Sequence, residues 1–329
     1  MSDNWNLLGH DWAVDMLRRH IERGEARHAY LFAGPPGLGR RTLALRFARA
    51  LNCTNPPAPG ESCGECRDCK QTESMQHPDL AVVQAESEGG TLKVEQVREM
   101  RRTITLKPYQ SKYRVALFLR FQEANDSAAN ALLKTLEEAP DYATLLLTAD
   151  NPEQLLPTIV SRCEVLRLRP LKVEEVQKHL ESNGLENGRA QLLAHLSGGR
   201  PGYANRLLSD PSLLEFRAER LDDLKKLLSS TRVQKFAYAD KLAKDRAVMR
   251  QVLLVWLAYW RDVLLRAAQA DAPLVNLDRA EEIESLAKKL SLAEARKLVT
   301  NMELAVERLE KYVNPRLLAE VTLLDWPKL

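Results

Sequence analysis

Five short, largely apolar runs punctuate the first half of the chain, at 28–34 (HAYLFAG), 80–83, 115–119, 144–148 and 165–168. A strand with one face in water alternates apolar and polar residues; a solid run needs cover on both faces. Helical patterns separate most of these runs, notably at 94–106 and 127–138, and an amphipathic helix at 11–23 with Val14, Leu17 and Ile21 on one face precedes the first, ending at Gly24. Strands alternating with helices specify an α/β domain built on a parallel sheet with helices on both faces, over residues 1–168. From Arg169 the character changes and strand patterns cease. A small helical unit at 169–208 ends near SGGRPGYANRLL, SDPS at 209–212 marks a boundary, and 209–329 reads as helical throughout.

At 329 residues, with 45% apolar and 28% charged, the chain is long enough for two or three folded domains. A formal charge of +3 excludes reading the whole surface as a nucleic-acid footprint. The most apolar run, VLLVWLAYW at 252–260, is nine residues, too short to span a bilayer, and is expected to be a core helix. The first residues show neither a basic nor an apolar segment of the secretory kind, so a cytoplasmic location and no membrane partner are expected. Thiols stay reduced there, and clustered cysteines then point to metal rather than disulfides.

The first apolar run leads into GPPGLGRRTLA at 34–44, and a helix is expected from 42 to 51. Strand, glycine turn and helix are the context of a phosphate-binding loop, whose pattern is G-x-x-x-x-G-K-[ST]. Gly34, Gly37 and Gly39 keep the backbone part of that loop possible. Arg40 stands where the lysine that reaches the β- and γ-phosphates belongs, and a planar guanidinium does not replace a compact ammonium in a fitted site. Arg41 removes the Mg²⁺-binding hydroxyl; Thr42 is one residue late, a turn of about 100° away. The strand end that should carry the acidic pair holds Leu119 and Arg120 instead, with Glu123 and Asp126 beyond it read as solvated loop or helix cap. Two parts of a hydrolytic site are missing together. The bland alternative, that GPPG is only a strand-to-helix turn, stands beside this reading.

Four of the five cysteines, Cys53, Cys63, Cys66 and Cys69, fall in a C-x9-C-x2-C-x2-C pattern. Four thiolates suit tetrahedral Zn²⁺ and leave no open position for water, so the expected role is structural. Pro56, Pro57 and Pro59 stiffen the return of the chain to the others. An iron–sulfur cluster is the competing reading, but the C-P that usually follows is absent, and four free thiols at this density are the remaining one. Cys163 has no metal partner nearby in sequence and is read as a small apolar residue.

Taken together, the stretches LLGHDWAVDMLRRHI, HAYLFAGPPGLGRRTLA, the cysteine module, HPDL at 77–80, NALLKTLEEAP at 130–140 and TIVSRC at 158–163 resemble the clamp-loader branch of the AAA+ family. The resemblance covers the α/β domain in the family's order; the helical remainder is similar in length and character. It implies an AAA+-like domain with a zinc insertion at 53–69, a lid-type domain at 169–208 and a collar for oligomerisation at 209–329. The motor subunits of such loaders keep the lysine, the acidic strand end and a sensor arginine. Here these are replaced by Arg40, Arg41, Leu119 and Arg120, and Gly202 stands where the sensor arginine is expected. The departures imply a non-hydrolysing member of the ring, with no tight binding of ATP in its own loop. In the family the arginine of SRC reaches across an interface to the γ-phosphate held by a neighbour; Arg162 is the residue that matches. Partners so implied are the motor subunits, a delta-type subunit, primed DNA and, indirectly, the sliding clamp of DNA polymerase III. On sequence pattern alone the favoured reading of Arg162 is an anchor of the strand end through a carboxylate; the resemblance reverses that order.

NDSAANALLKTLEEAP also has a plain structural account: Asp126 caps a helix whose apolar face holds Ala129, Leu132, Leu133 and Leu136, while Lys134, Glu137 and Glu138 are solvated. Residues 98–114 carry six basic side chains, one acidic and two tyrosines, a face that could line a DNA path but reads first as solvated. Apolar faces such as Val252, Trp256 and Trp260 are expected to build both the C-terminal core and a collar, with some of the aromatics serving the core alone. Two rival functions remain at this point: a P-loop ATPase in which Arg40 still grips nucleotide, and a zinc-dependent nucleic-acid-binding protein.

Overall fold

A computed structural model describes residues 5–327 apart from Glu88 and Tyr312, in two compact units, one of 1–171 with Arg200–Tyr203 and one of Lys172–Gly199 with 204–329. The first unit runs α1 (Asp11–Glu22), β1 (Ala29–Ala33), α2 (Arg40–Asn52), α3 (Arg67–Glu73), β2 (Leu80–Val83), α4 (Val94–Ile104), β3 (Arg114–Phe118), α5 (Asp126–Glu137), β4 (Ala143–Ala149), α6 (Pro157–Val160) and β5 (Glu164–Arg167). Its five strands are parallel, in the order β2-β3-β4-β1-β5.

The solid strands are sandwiched as their sequences require. Successive side chains of β1 go to opposite faces. Tyr30 and Phe32 join Val14 and Leu17 of α1 and Leu43 and Phe47 of α2 in one core. Ala29, Leu31 and Ala33 join Val97 and Met100 of α4 and Ala128 and Leu132 of α5 in the other. All five residues of β1 and all seven of β4 are buried.

Two elements depart from the sequence reading. The helix expected from 42 begins at Arg40, because Gly39 takes a left-handed conformation (φ 89°) and its carbonyl accepts the first helical bond from Leu43 N at 2.8 Å. Asn125, not Asp126, caps α5: its side chain accepts from Ala128 N at 2.8 Å, and Asp126 is exposed in the first turn.

The second unit is helical among its described residues: α7 (Val173–Ser182), α8 (Asn187–Ser197), the later part of α9 (Pro201–Ser209), α10 (Ser212–Leu228), α11 (Arg232–Leu242), α12 (Arg246–Ala267), α13 (Ala280–Ala287), α14 (Leu292–Glu310) and α15 (Pro315–Leu324). Thr231 and Ser291 cap α11 and α14 with reciprocal bonds from Gln234 and Glu294, satisfying donors that a helix start leaves open. The core of this unit corrects one expectation. Val252, Trp256 and Trp260 are all completely buried, and Trp256 and Trp260 both lie edge-on to Trp326 at 4.8 and 5.9 Å between ring centres. They serve the unit's own core and none of them is left over for a partner. Among the described residues, no helix is long and apolar enough to cross a membrane.

The HPDL stretch has a structural role that its sequence did not announce. Asp79 is buried at the start of β2, and its carboxylate accepts from the backbone N–H groups of Tyr109, Gln110 and Ser111 at 2.6, 2.9 and 3.0 Å and from Arg114 Nη1 at 3.1 Å. His77 Nδ1 accepts from Asp79 N at 3.0 Å, and its Nε2 lies 3.0 Å from Asp68 of α3. Burial alone would raise the Asp79 pKa, but the three amides and Arg114 outweigh it and hold the carboxyl below its ordinary value of 3.8. A depressed carboxyl stabilises the fold above its unfolded pKa, and that contribution fades as pH falls through the folded value. Asp79→Asn, which turns amide hydrogens toward backbone donors, is expected to cost about 2–3 kcal/mol at neutral pH by urea unfolding. The gap to the parent should narrow as pH drops below the ordinary carboxylate range; a constant gap down to pH 2 would contradict this account.

Candidate functional site

The glycine loop lies at the carboxyl end of the sheet, where α/β folds bind ligands. Register dictates what surrounds it. Ala33 pairs with Ala149 of β4 on one side and with Arg167 of β5 on the other. Gly34 N donates to Ala149 O at 3.1 Å, so the residue after β4, Asp150, comes up beside the loop. A side chain at Gly34 (φ 147°) would come within 2.5 Å of the Leu168 carbonyl, which is why glycine is required there.

Arg40 opens α2 and is 9% exposed, with Nη1 2.8 Å from Asp150 Oδ1. A helix N-terminus favours a negative charge, and a cation placed there is unfavourable unless an anion accompanies it. In a working loop that anion is phosphate; here a carboxylate of the same chain stands beside the cation. Gly37 is engaged too. Its carbonyl accepts from Gly202 N at 2.8 Å, and a side chain at Gly37 (φ 88°) would meet Tyr203 backbone and Cβ at 2.9 Å. The Arg200 guanidinium stacks over Tyr203 at 4.6 Å, and its burial pushes its pKa down. Arg41 is exposed and its Nη2 donates to Met75 Sδ at 3.3 Å, on the side of the cysteine module.

The acidic strand end is absent in space as in sequence. Beyond β3, Arg120 adopts a left-handed conformation (φ 52°), its N–H donating to Thr148 Oγ1 at 2.9 Å and its Nε to Glu123 at 2.8 Å. Glu123 is therefore not the solvated loop residue expected: its side chain is 10% exposed and also accepts from Gly89 N at 2.9 Å. Both of its contacts are structural.

The four cysteines come together. Cys53 ends α2, Cys66 caps the start of α3, and Cys69 lies one turn further on, where α3 was not expected from sequence. The four sulfurs all lie within 4.8 Å of one another, with Cys53–Cys63 at 3.6 Å and Cys63–Cys69 at 3.9 Å. Sulfurs at the corners of a tetrahedron with bonds of about 2.3 Å stand about 3.8 Å apart, so the donor set fits a metal ion of that geometry. Backbone N–H groups of Cys63, Cys66 and Cys69 donate to the sulfurs of Cys53, Cys63 and Cys66 at 3.3, 3.3 and 3.4 Å, favouring thiolates. For Cys66, burial opposes ionisation, but hydrogen bonds from Thr54 and Cys69 outweigh it and bring the thiol to about 6, whereas burial pushes the Cys53 and Cys69 thiols up. Gly60 seats the module on α1: its carbonyl accepts from Trp5 Nε1 at 3.2 Å, and a side chain there would touch the Arg18 backbone at 3.0 Å. Cys163 is half-buried, its thiol pushed up to about 12 by burial, and it packs against the core shared by α4 and α5.

Arg162 follows the single turn of α6 and is partly exposed, 36% for the side chain. Its Nη2 lies 2.6 Å from Glu137 Oε1 and its Nη1 donates to Thr158 O at 2.9 Å. Glu137, expected to be solvated, thus has a partner, whereas Lys134 and Glu138 stay exposed with a loose 4.0 Å contact between them. On α4, Arg98, Arg101 and Arg102 all point to solvent, as the plain reading of that stretch expects. Asp150 and Glu137 are the two site residues that sequence reasoning missed. Each meets its arginine through strand register or helix packing, and no spacing in the sequence signals either.

Known proteins similar to this chain cover both units. Residues 9–172 match the family described as DNA polymerase III, delta subunit, and residues 211–328 match DNA polymerase III, delta subunit, C terminal. The DNA polymerase III subunit delta' of Pseudomonas aeruginosa is 32% identical over 317 residues, 93% of this chain and 94% of that protein. The DNA polymerase III subunit delta' of Bacillus subtilis is 29% identical over 93% of each chain. A crystal structure of a DNA polymerase III gamma subunit-related protein from Thermotoga maritima aligns with 94% of this chain and 97% of its own, at 16% identity and a TM-score of 0.42. With the Pseudomonas aeruginosa protein 32% identical and matched almost end to end, and family matches in both halves, the chain belongs to the DNA polymerase III delta' family.

Proposed function

We propose that this protein is a non-hydrolysing subunit of the DNA polymerase III clamp loader, helping to place the sliding clamp on primed DNA and supplying Arg162 in trans to ATP held by a neighbouring motor subunit. The observation that carries the first part is the Arg40–Asp150 pair at 2.8 Å. The loop's own cation is matched by a carboxylate of the same chain, where a nucleotide would have to bring its phosphates. Arg41 in place of the Mg²⁺ hydroxyl, and Leu119 and Arg120 in place of the acids, support the same reading. An arginine finger acts by stabilising phosphoryl charge that another site binds and positions. Arg162, partly exposed and carried by the SRC motif, is the group for that role.

The metal is zinc in this reading, because a closed set of four thiolates suits a structural Zn²⁺. Bound there, the ion cross-links the end of α2 to α3 and does no chemistry on substrate. The functional division is an ATPase-like module, made of the α/β domain at 1–168 and a lid-type segment at 169–208, and a collar at 209–329, where exposed Val233, Phe236, Leu317 and Val321 are available to motor and delta-type partners. The loader works in the cytoplasm.

Titrating Mg²⁺-ATP into the isolated, metal-loaded chain tests the first part. No binding is expected up to about millimolar ATP, an affinity weaker than about −4 kcal/mol. Micromolar binding, or turnover by the chain alone, would replace this reading with that of an active or nucleotide-sensing P-loop ATPase.

A further inference from the structure

Arg162 is held from two sides, by the end of α5 and by the turn of α6 that precedes it. Glu137 is the last residue of α5, and its Oε1 lies 2.6 Å from Arg162 Nη2. Thr158 belongs to α6, and its carbonyl accepts from Nη1 at 2.9 Å. One anchor at each terminal nitrogen fixes the plane of the guanidinium as well as its place. A guanidinium carries five N–H donors in one plane. These two contacts use one from each terminal nitrogen, and the other donors stay available to an outside acceptor. The end of α5 also favours a cation, since the last carbonyls of a helix carry partial negative charge.

The pair is poorly explained by stability. Its side chains are 36% and 50% exposed, and ion pairs this wet contribute little to folding. Two long side chains held in one geometry lose rotamer freedom, which nearly offsets the attraction. A fixed arginine is what a trans-acting group needs, because reach across an interface tolerates little misplacement.

We infer that Glu137 is a positioning residue for Arg162, setting its guanidinium in the orientation that a neighbour's nucleotide meets. The inference rests on the reading of Arg162 as an arginine acting in trans.

The test uses the full loader reconstituted with its motor subunits, carrying Glu137→Gln, Glu137→Ala, Arg162→Ala or Glu137→Gln with Arg162→Ala. Glu137→Gln is expected to lower kcat for ATP about three- to fivefold, the scale of a half-exposed ion pair, with KM for ATP unchanged. Glu137→Ala should match it, and adding Glu137→Gln to Arg162→Ala should cause no further loss. In the isolated chain, rotation of the Arg162 guanidinium measured by NMR should be slow in the parent and fast in Glu137→Gln, with unchanged thermal unfolding. Unchanged or faster turnover in Glu137→Gln, beside a large loss in Arg162→Ala, would overturn the inference alone. An equal loss from Glu137→Gln with and without Arg162 would overturn it too, placing the effect elsewhere. Full turnover in Arg162→Ala would instead overturn the trans reading, and the inference with it.

Discussion

Replacing Arg162 by alanine in the assembled loader is expected to lower ATP turnover at the neighbouring site by about a thousandfold or more, while ATP binding there changes little. The asymmetry follows from what such a group touches. A motor subunit binds its nucleotide with its own loop and Mg²⁺, and an arginine from outside matters mainly when charge shifts in the transition state. Arg162→Lys should recover little of the loss, since a point charge on a flexible stem cannot reproduce a planar fork held by Glu137 and the Thr158 carbonyl. The isolated variant should unfold like the parent, because Arg162 is a surface group. Single-turnover hydrolysis and equilibrium nucleotide binding, measured on the same preparation, separate the two quantities. A loss seen in affinity rather than turnover would show that Arg162 shapes the interface and not the reaction.

The second large effect lies in the cysteine module. A preparation made with zinc present should contain one zinc per chain and be colourless; a brown iron-containing preparation would remove the zinc assignment. Structural zinc sites with cysteine ligands bind with an apparent free energy on the order of 10 kcal/mol, and that energy is local folding energy. Cys63→Ser with Cys66→Ser is therefore expected to abolish stoichiometric metal binding and to open residues 53–69 to proteolysis. The loop part of that stretch has little besides the sulfurs to hold it: Pro56, Pro57 and Ala58 are exposed, and the anchors on the rest of the unit are Trp5, Arg18 and Arg49, with His77 and Gln110 holding Asp68 at its far end. The damage should spread to α2, whose last turn ends at Cys53, and to α3, which starts from Cys66. A double variant that keeps its metal, or melts at the parent temperature with the module still protected, would defeat this account.

Much of this molecule can be read from its residues in order. The five apolar runs became five parallel strands within a residue or two, because a largely apolar run has few other places to go. The cysteine spacing announced one cluster, since four thiols so close in sequence need only short turns to meet. Loss of the lysine and of the acidic strand end was legible as well, because those positions are defined by local motifs. The long-range assignments failed where local reading had nothing to use. Trp256 and Trp260 offered an apolar face without saying what covers it, and the answer includes Trp326, from the far end of the chain. Asp126 looked like the cap of α5, yet Asn125 beside it has the extended backbone (ψ 165°) from which a side chain can reach back to the helix.

By itself the sequence determined the fold class, the cysteine cluster and the loss of the loop lysine and of the acidic strand end, since each is written in periodicity or in residues a few positions apart. The tertiary structure alone decided what became of the two arginines. Sheet register, with Ala33 beside Ala149, sets Asp150 against Arg40, and the packing of α6 near the end of α5 sets Glu137 against Arg162. A charge pair forms wherever the fold delivers its two members, and delivery across more than a hundred residues, or between two helices, leaves no mark in local order.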